Sequence, residues 1–228
     1  MCSQQAQLEW RSGDVPVSTQ FDDTYFSLDN GLAETRHVFL DGNDLPARFA
    51  SGFRVAELGF GTGLNMLVAA DAWQAAGAPG TLHLTSFEAF PMATDDMARA
   101  LAVFPAVAQR ANRLLSGWQS GGQTGAIMDL GDGVTLNVIA GDARTTLPHW
   151  AHKADAWFLD GFSPAKNPEL WGADLMEQVA AHTVPDGTAA TYTAAGFVRR
   201  GLSDAGFDVV RVAGYGRKRH MTRARMLA

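Results

Sequence analysis

Cysteine is nearly missing from this sequence: Cys2 is the only one among 228 residues. A disulfide within the chain and a zinc site built from cysteines are therefore excluded, and we expect no bound metal. Apolar runs of about 18 residues or more, which a membrane helix requires, are also missing. Residues 1–10 lack the basic and apolar segments of a secretion signal. We therefore expect a cytoplasmic protein with no membrane partner.

Positive charge is scarce except near the C-terminus. The net charge of −6 by itself argues weakly against a nucleic-acid partner. From Gly196 onward, however, eight Arg and Lys residues face two Asp residues, so this part carries +6 and the remainder carries −12. A basic end on an acidic body can bind phosphates while the body stays soluble. A solvated arginine-rich terminus explains the charge equally well.

Short apolar segments alternate with helical patterns over most of the chain. They predict strands at 53–58, 82–87, 134–139, 156–159 and 188–193, helices at 64–76, 93–103, 168–182 and 197–204, a short helix near Ala143, and a final strand pair at 207–213 and 219–226. This alternation predicts an α/β, Rossmann-like fold with a mostly parallel sheet, helices on both faces and an antiparallel C-terminal strand. Ligands of such sheets bind outside the carboxyl ends of the strands.

Two further predictions concern the organisation of the chain. Residues 1–50 are expected to be an N-terminal extension that covers the site, and residues 51–228 to be the Rossmann-like domain. The glycine-rich residues 116–125 predict a flexible surface loop.

The strongest local motif is Glu-Leu-Gly-Phe-Gly-Thr-Gly-Leu-Asn at residues 57–65, which follows a predicted strand and opens a helix. Glycines there allow a tight turn and a close approach of a ligand to the backbone. A nicotinamide-binding turn has the spacing Gly-x-Gly-x-x-Gly, but here the third glycine comes one place early. The form with an acid two places upstream resembles the first motif of class I methyltransferases. A purely structural turn is the competing interpretation.

Acidic residues end two further predicted strands. Glu88 is well placed to accept two hydrogen bonds from a ribose diol, although a solvent-exposed acid would also fit this position. Asp142 can cap the helix that follows it.

A third acid, Asp160, closes the apolar strand at 156–159, where a methyl acceptor would lie, although Asp-Gly is also a common turn. The segment that follows is chemically mixed. Phe162 could stack on a base, Lys166 could meet a phosphate and Asn167 could hydrogen-bond a base edge.

Five separated motifs, at 16–27, 59–65, 155–168, 193–202 and 214–219, resemble the methyltransferase half of the MnmC family of bacterial tRNA 5-methylaminomethyl-2-thiouridine biosynthesis proteins. The resemblance covers nearly the whole chain. It implies transfer of a methyl group from S-adenosyl-L-methionine to the amine of 5-aminomethyl-2-thiouridine at the tRNA wobble position. The implied partners are tRNA and a separate oxidase or other wobble-uridine modification enzymes.

The resemblance also implies roles for individual residues. The cofactor would be bound by Glu57, Gly59, Gly61, Thr62, Gly63, Asn65, Glu88, Phe90 and Asp142. Asp160 and Phe162 would lie at the acceptor as catalytic residues. Separately from the resemblance, the chemistry of the side chains and the basic tail predict that tRNA is bound by Tyr25, Lys166, Asn167, Arg199, Arg200, Arg217, Lys218 and Arg219.

One departure concerns the flavin-dependent oxidase domain of bifunctional family members. The sequence ends at Ala228 and has no second Gly-x-Gly-x-x-Gly turn, so we expect no FAD and either a stand-alone methyltransferase or a segment cut at the domain boundary. Two alternatives stay open, a methyltransferase of small amines and a non-catalytic RNA-binding module. The basic tail argues against the first, and the intact set of cofactor residues argues against the second.

Overall fold

The computed structural model describes residues 5–27, 30–122 and 125–227. Its first part is a small antiparallel sheet of β1 (Leu8–Arg11), β2 (Val15–Ser18) and β3 (Asp23–Thr24). Helix α1 (Gly31–Thr35) follows, with helical turns at Arg36–Leu40 and Asp41–Asn43. Val38, Phe39, Leu40 and Leu45 are buried in the main core. The predicted division at residue 50 stays a prediction, and side chains from before it complete the core.

The central sheet of the described residues contains eight strands: β4 (Phe53–Leu58), β5 (Leu82–Glu88), β6 (Met128–Gly131), β7 (Val134–Ala140), β8 (Ala154–Leu159), β9 (Thr183–Thr191), β10 (Phe207–Ala213) and β11 (His220–Met226). Their order is β10-β11-β9-β8-β4-β5-β7-β6. The five strands from β9 to β7 are parallel, whereas β6, β10 and β11 pair antiparallel. The predicted fold class, with its antiparallel C-terminal strand, is confirmed.

Helices cover both faces of this sheet because its inner strands are apolar on both sides. In β4, Val55 packs into one core while Ala56 and Leu58 pack into the other. The first core receives α2 (Leu64–Ala75), α3 (Thr94–Ala102) and α4 (Ala108–Gln119), and the second receives α5 (Ala143–Thr146), α6 (Ala173–Ala181) and α7 (Gly196–Asp204). Among the described residues, the structure contains no helix that is both long and apolar enough to cross a membrane.

The predicted flexible loop at 116–125 is wrong for its first part, because α4 continues to Gln119. Trp118 is fully buried, and its Nε1 donates a hydrogen bond to the carbonyl of Met92 at 3.1 Å. A Cβ on Gly117 would lie 2.7 Å from Met128 Cγ, so this glycine allows α4 to pack against β6. Residues 123 and 124 lie outside the described residues.

The helix predicted at 168–182 is two elements in the structure. A 3₁₀ turn at Pro168–Trp171 is followed by Gly172, whose backbone is extended, and α6 begins after it. The break has a packing reason: Trp171 is buried, and its Nε1 donates to the carbonyl of Phe162 at 2.9 Å.

The order in which the chain adds strands to the sheet reverses beside β4. The chain runs from β4 through β5 to β7 on one side, and then returns to place β8 on the other side of β4. Such a reversal leaves a crevice outside the carboxyl ends of the two strands. The residues that follow β4 and β8 therefore face each other at the edge of the sheet where a ligand is expected.

Candidate active site

A cavity of about 1780 Å³ opens at this edge of the sheet. Fourteen of the residues predicted from the sequence line it: Tyr25, Gly59, Gly61, Thr62, Asn65, Glu88, Phe90, Asp142, Asp160, Phe162, Lys166, Asn167, Arg217 and Lys218. The described residues lining the cavity do not include Glu57, Gly63, Arg199, Arg200 or Arg219. The fold therefore gathers most of the predicted site, although these positions are far apart in the sequence.

The glycine-rich turn between β4 and α2 forms the floor of this cavity. Gly59 has a φ of +87°, and a Cβ there would lie 2.8 Å from the carbonyl oxygen of Asp160. Gly61 has a φ of +54°, and a Cβ there would lie 3.2 Å from the ring of Tyr25. A side chain at Gly59 would thus meet the backbone that follows β8, and one at Gly61 would meet an aromatic ring. Either side chain would also require a backbone conformation that L residues rarely adopt.

Behind the turn, Asn65 connects two carboxylates. Its Nδ2 donates to Glu57 Oε1 at 2.9 Å and to Asp160 Oδ2 at 2.7 Å. Ser86 Oγ donates to Glu57 Oε2 at 2.6 Å, and Thr35 Oγ1 donates to Asn65 Oδ1 at 2.8 Å. Glu57 has no solvent exposure, so it reaches the cavity through Asn65. Both amide protons of Asn65 are thus used to hold acids in place.

Burial affects the two carboxyls to different degrees. It raises the pKa of Glu57 well above its ordinary value, against the hydrogen bonds from Ser86 and Asn65 that favour the ionised form. Burial also raises the pKa of Asp160, from 3.8 to about 6, while the hydrogen bonds from Asn65 and the Gly161 amide oppose the rise. At neutral pH Asp160 therefore presents a carboxylate to the cavity.

Glu88 lies on the other side of the turn, at the end of β5. Its Oε2 accepts from the amide of Gly61 at 3.0 Å, and its Oε1 accepts from the amide of Phe90 at 2.8 Å. Burial raises the pKa of Glu88, and these backbone hydrogen bonds counteract the rise. An ionised carboxylate has about four acceptor positions, so each oxygen can accept a further bond from a ligand.

Asp142 caps α5, as predicted. Its Oδ1 accepts from the amide of Arg144 at 2.9 Å. The Arg144 guanidinium also contacts this carboxylate, with Nη2 2.5 Å from Oδ2, and the hydrogen bonds from Arg144 lower the pKa of Asp142. The side chain of Asp142 is 40% exposed and lines the cavity. The acid is therefore fixed, ionised and accessible.

Aromatic rings form the wall opposite the turn. Phe162 stacks on Phe21 with ring centroids 4.7 Å apart, and Tyr25 meets Phe162 edge to face at 5.1 Å. Phe90 meets Phe21 edge to face at 5.7 Å. The N-terminal segment is tied to this wall because the amide of Ser163 donates to Asp23 Oδ2 at 2.8 Å.

The cationic residues predicted to bind tRNA fall into two groups. Lys166 pairs with Asp22, Lys218 pairs with Glu34, and exposed Arg217 lies at the same rim. Arg199 and Arg200 lie instead on α7, where Arg199 Nε donates to the carbonyl of Ala194 at 3.3 Å. Arg219 is exposed in the turn before β11. Both lysines at the cavity are thus already paired with acids from the N-terminal part of the chain.

Four residues of the site were not predicted from the sequence: Glu34, Thr35, Ser86 and Tyr192. Glu34 and Thr35 lie on α1, between the motifs at 16–27 and 59–65, and no local signal marks them. Ser86 and Tyr192 are next to predicted motifs, Ser86 within the second strand and Tyr192 just before the segment at 193–202. Tyr192 donates its hydroxyl proton to the carbonyl of Gly161 at 2.7 Å.

Relatives of this chain confirm the resemblance seen in the sequence. It is 46% identical over 226 residues to the "tRNA 5-methylaminomethyl-2-thiouridine biosynthesis bifunctional protein MnmC" of Caulobacter sp. (strain K31), covering 95% of this chain and 38% of that protein. The protein of the same name from Stutzerimonas stutzeri is 44% identical over 235 residues, covering 98% of this chain and 35% of that protein. The chain thus spans little more than a third of the length of these relatives.

Solved structures agree on the fold. MNMC2 from Aquifex aeolicus superposes with a TM-score of 0.74 at 24% identity, covering 97% of this chain and 70% of that chain. The N-methyltransferase NodS from Bradyrhizobium japonicum WM9 superposes with a TM-score of 0.52 at 15% identity, covering 88% of this chain and 99% of that chain. Residues 105–227 match the family model described as "S-adenosyl-L-methionine-dependent methyltransferase". Because this match spans more than half of the 228 residues, the chain belongs to the S-adenosyl-L-methionine-dependent methyltransferase family.

Proposed function

We propose that this chain transfers a methyl group from S-adenosyl-L-methionine to the amine of 5-aminomethyl-2-thiouridine at the wobble position of tRNA. The observation that carries the proposal is Asp160, a carboxylate fixed by Asn65 and Gly161 at the meeting point of the glycine turn and the aromatic wall. The names of the relatives supply the substrate. A tRNA substrate would place the reaction in the cytoplasm.

The residues of the cavity fit the cofactor. Gly59 and Gly61 line the cavity without side chains, so a ligand can lie directly against the backbone of the turn. Glu88 retains acceptor capacity for a ribose diol, and Asp142 keeps an exposed carboxylate for the amino group of a base. Glu57 would act through Asn65 as a positioning residue, since it is buried behind the turn.

When bound, S-adenosyl-L-methionine supplies an electrophilic methyl group. The acceptor nitrogen must have a free lone pair, yet an alkyl amine is mostly protonated at neutral pH, since lysine has a pKa of about 10.4. Asp160 stabilises positive charge that develops on the nitrogen as the new bond forms. The same carboxylate favours the ammonium before reaction, so we assign it orientation and charge stabilisation and leave the proton acceptor unassigned.

The aromatic wall and the rim suit a nucleic acid. Phe162 or Tyr25 can stack on an unstacked base, which is a common way for proteins to bind single-stranded RNA. Lys166 and Asn167 follow on the same loop, and Arg217 lies exposed at the rim, where a phosphate would be held. The arginines on α7 would extend this contact along the RNA backbone.

Mass spectrometry of nucleosides tests the proposal. Undermodified tRNA that carries the aminomethyl group is incubated with the protein and S-adenosyl-L-methionine, and a gain of one methyl group on that nucleoside is expected. The matched control is the same tRNA without the aminomethyl group, which should gain nothing. No methylation of the aminomethyl tRNA would contradict the proposal, and faster methylation of the free nucleoside than of tRNA would favour a small-amine methyltransferase.

A further inference from the structure

The ammonium group of Lys218 lies in a niche made by a carboxylate and an aromatic ring. Its Nζ is 2.8 Å from Glu34 Oε1 and 4.0 Å from the centroid of the Tyr192 ring. All three residues line the large cavity. The side chain of Glu34 is only 14% exposed, whereas that of Lys218 is 46% exposed. The carboxylate of Glu34 is therefore largely shielded from solvent, and the lysine reaches it from the solvent side.

Two sets of hydrogen bonds connect the niche to Asp160 or to the residue after it. Tyr192 donates its hydroxyl proton to the carbonyl of Gly161, the residue after Asp160, at 2.7 Å. Thr35, the residue after Glu34, donates to Asn65 at 2.8 Å, and Asn65 donates to Asp160 at 2.7 Å. The packing that holds Asp160 thus also holds the ring and the carboxylate of the niche.

A carboxylate next to the face of an aromatic ring favours the binding of an ammonium group. A carboxylate offers a charge-assisted hydrogen bond to an ammonium, and the face of a tyrosine ring attracts the same cation. The end of a lysine side chain is a primary alkylammonium. The protonated aminomethyl group of a modified uridine belongs to the same chemical class.

We propose that Glu34 and Tyr192 form a subsite beside Asp160 that first captures the amine of the substrate in its protonated form, before it reacts as the free amine at Asp160, and that Lys218 occupies this subsite in the free protein. This inference rests on the proposed function. An incoming ammonium replaces an ammonium, so the charge around Glu34 stays balanced. Lys218, on the exposed turn at residues 214–219, is then released toward the rim, where its charge faces solvent or a phosphate.

The first experiment uses ethylammonium chloride as the probe and NMR chemical shifts as the readout, with sodium chloride at equal ionic strength as the control. Lys218→Met empties the niche while keeping an unbranched side chain. It should bind ethylammonium at least about tenfold more tightly than the wild type, because a competing charge-assisted contact has been removed. Adding Glu34→Gln to this variant should remove the gain. Equal affinities in the wild type and Lys218→Met, or in Lys218→Met with and without Glu34→Gln, would overturn the subsite.

The ring is tested by a matched pair in the Lys218→Met background. Tyr192→Phe keeps the aromatic face and Tyr192→Leu removes it, so ethylammonium should bind about three- to thirtyfold more weakly to the Leu variant. Equal affinities in the two variants would exclude the ring from the subsite. Circular dichroism and thermal unfolding verify that each variant is folded before titration.

Kinetics with tRNA separates this inference from the proposed function. With aminomethyl tRNA, Glu34→Gln should raise KM by about tenfold, with a smaller effect on kcat, because the lost contact is already made in the ground state. If the wild type does not methylate this tRNA, the proposed function fails and the ethylammonium titrations still decide the subsite. If the wild type is active and Glu34→Gln has an unchanged KM, the subsite fails and the function stands.

Discussion

Replacing Asp160 by Asn preserves the shape of the side chain and removes its charge. In the structure, this carboxylate accepts hydrogen bonds from Asn65 and from the Gly161 amide, and it is ionised at neutral pH because its pKa is about 6. It is thus a prearranged negative charge that needs little reorganisation during the reaction. Loss of one such electrostatic partner slows an enzyme by about 10² to 10³-fold. We expect a decrease of about 10²-fold in kcat/KM at pH 8.

The pH dependence makes this prediction specific. The parameter kcat/KM reports the ionisation of the free enzyme, and the ratio of wild type to variant cancels the titration of the amine substrate. Below pH 6 the wild-type carboxyl becomes protonated and loses its advantage. The ratio should therefore fall from about 10² at pH 8 to about 10 at pH 5, since only a tenth of the wild-type carboxyl is ionised there.

The assay is methylation of aminomethyl tRNA at subsaturating concentrations between pH 5 and pH 8, with a separate calorimetric titration of S-adenosyl-L-methionine. Affinity for the cofactor should change much less than kcat/KM, since the glycine turn and Glu88 are unaltered. A ratio near one at pH 8 would reduce Asp160 to a turn residue. A large ratio without pH dependence would refute the assigned role of its ionisation.

Four further outcomes are expected. Because burial raises the pKa of Asp160 above its unfolded value, its contribution to stability is fully present below about pH 4 and is lost as the pH rises through about 6. The difference in unfolding free energy between wild type and Asp160→Asn should therefore shift by about 2 kcal/mol against the wild type from pH 4 to pH 7 in denaturant titrations. Gly61→Arg should abolish calorimetric binding of S-adenosyl-L-methionine, because its side chain would fill the turn. Trp118→Ala should lower the free energy of unfolding by about 3–5 kcal/mol, as expected for a buried aromatic side chain. Arg217→Ala should reduce the magnitude of the slope of log affinity for tRNA against log salt by about 0.7–0.9.

Each of these predictions has a clear contrary result. A pH-independent stability difference would contradict the raised pKa of Asp160. The control for Gly61→Arg is Gly77→Arg, at a glycine with a φ of +60° where an added Cβ would have no heavy atom within 4 Å, and this variant should leave cofactor binding intact. A stability loss below about 0.5 kcal/mol in Trp118→Ala would fit a surface loop. An unchanged salt slope in Arg217→Ala would mean that tRNA docks elsewhere.

The strands, the glycine turn and the acids after the strands were predictable because their signals are local. A buried parallel strand is a short apolar run, and the side chain that follows it emerges at the carboxyl edge of the sheet. Phe53–Leu58 matches its predicted bounds, and Asp142 caps its helix as predicted. The loop prediction was wrong for residues 116–119, which lie in α4, because glycine was read as flexibility. Gly117 instead allows close packing against Met128, a contact 11 residues away that no local window contains.

By itself, the sequence determined the α/β architecture, the edge of the sheet where the candidate site lies, and the family to which the chain belongs. Tertiary structure alone decided that Glu57 lies behind Asn65, and that Glu34 and Tyr192 meet around the ammonium of Lys218. The physical reason is the distance along the sequence over which each kind of interaction acts. Periodicity and turn chemistry act over a few residues, whereas these contacts join α1, the end of β9 and the turn before β11, and they exist only once the cores on both faces of the sheet have formed.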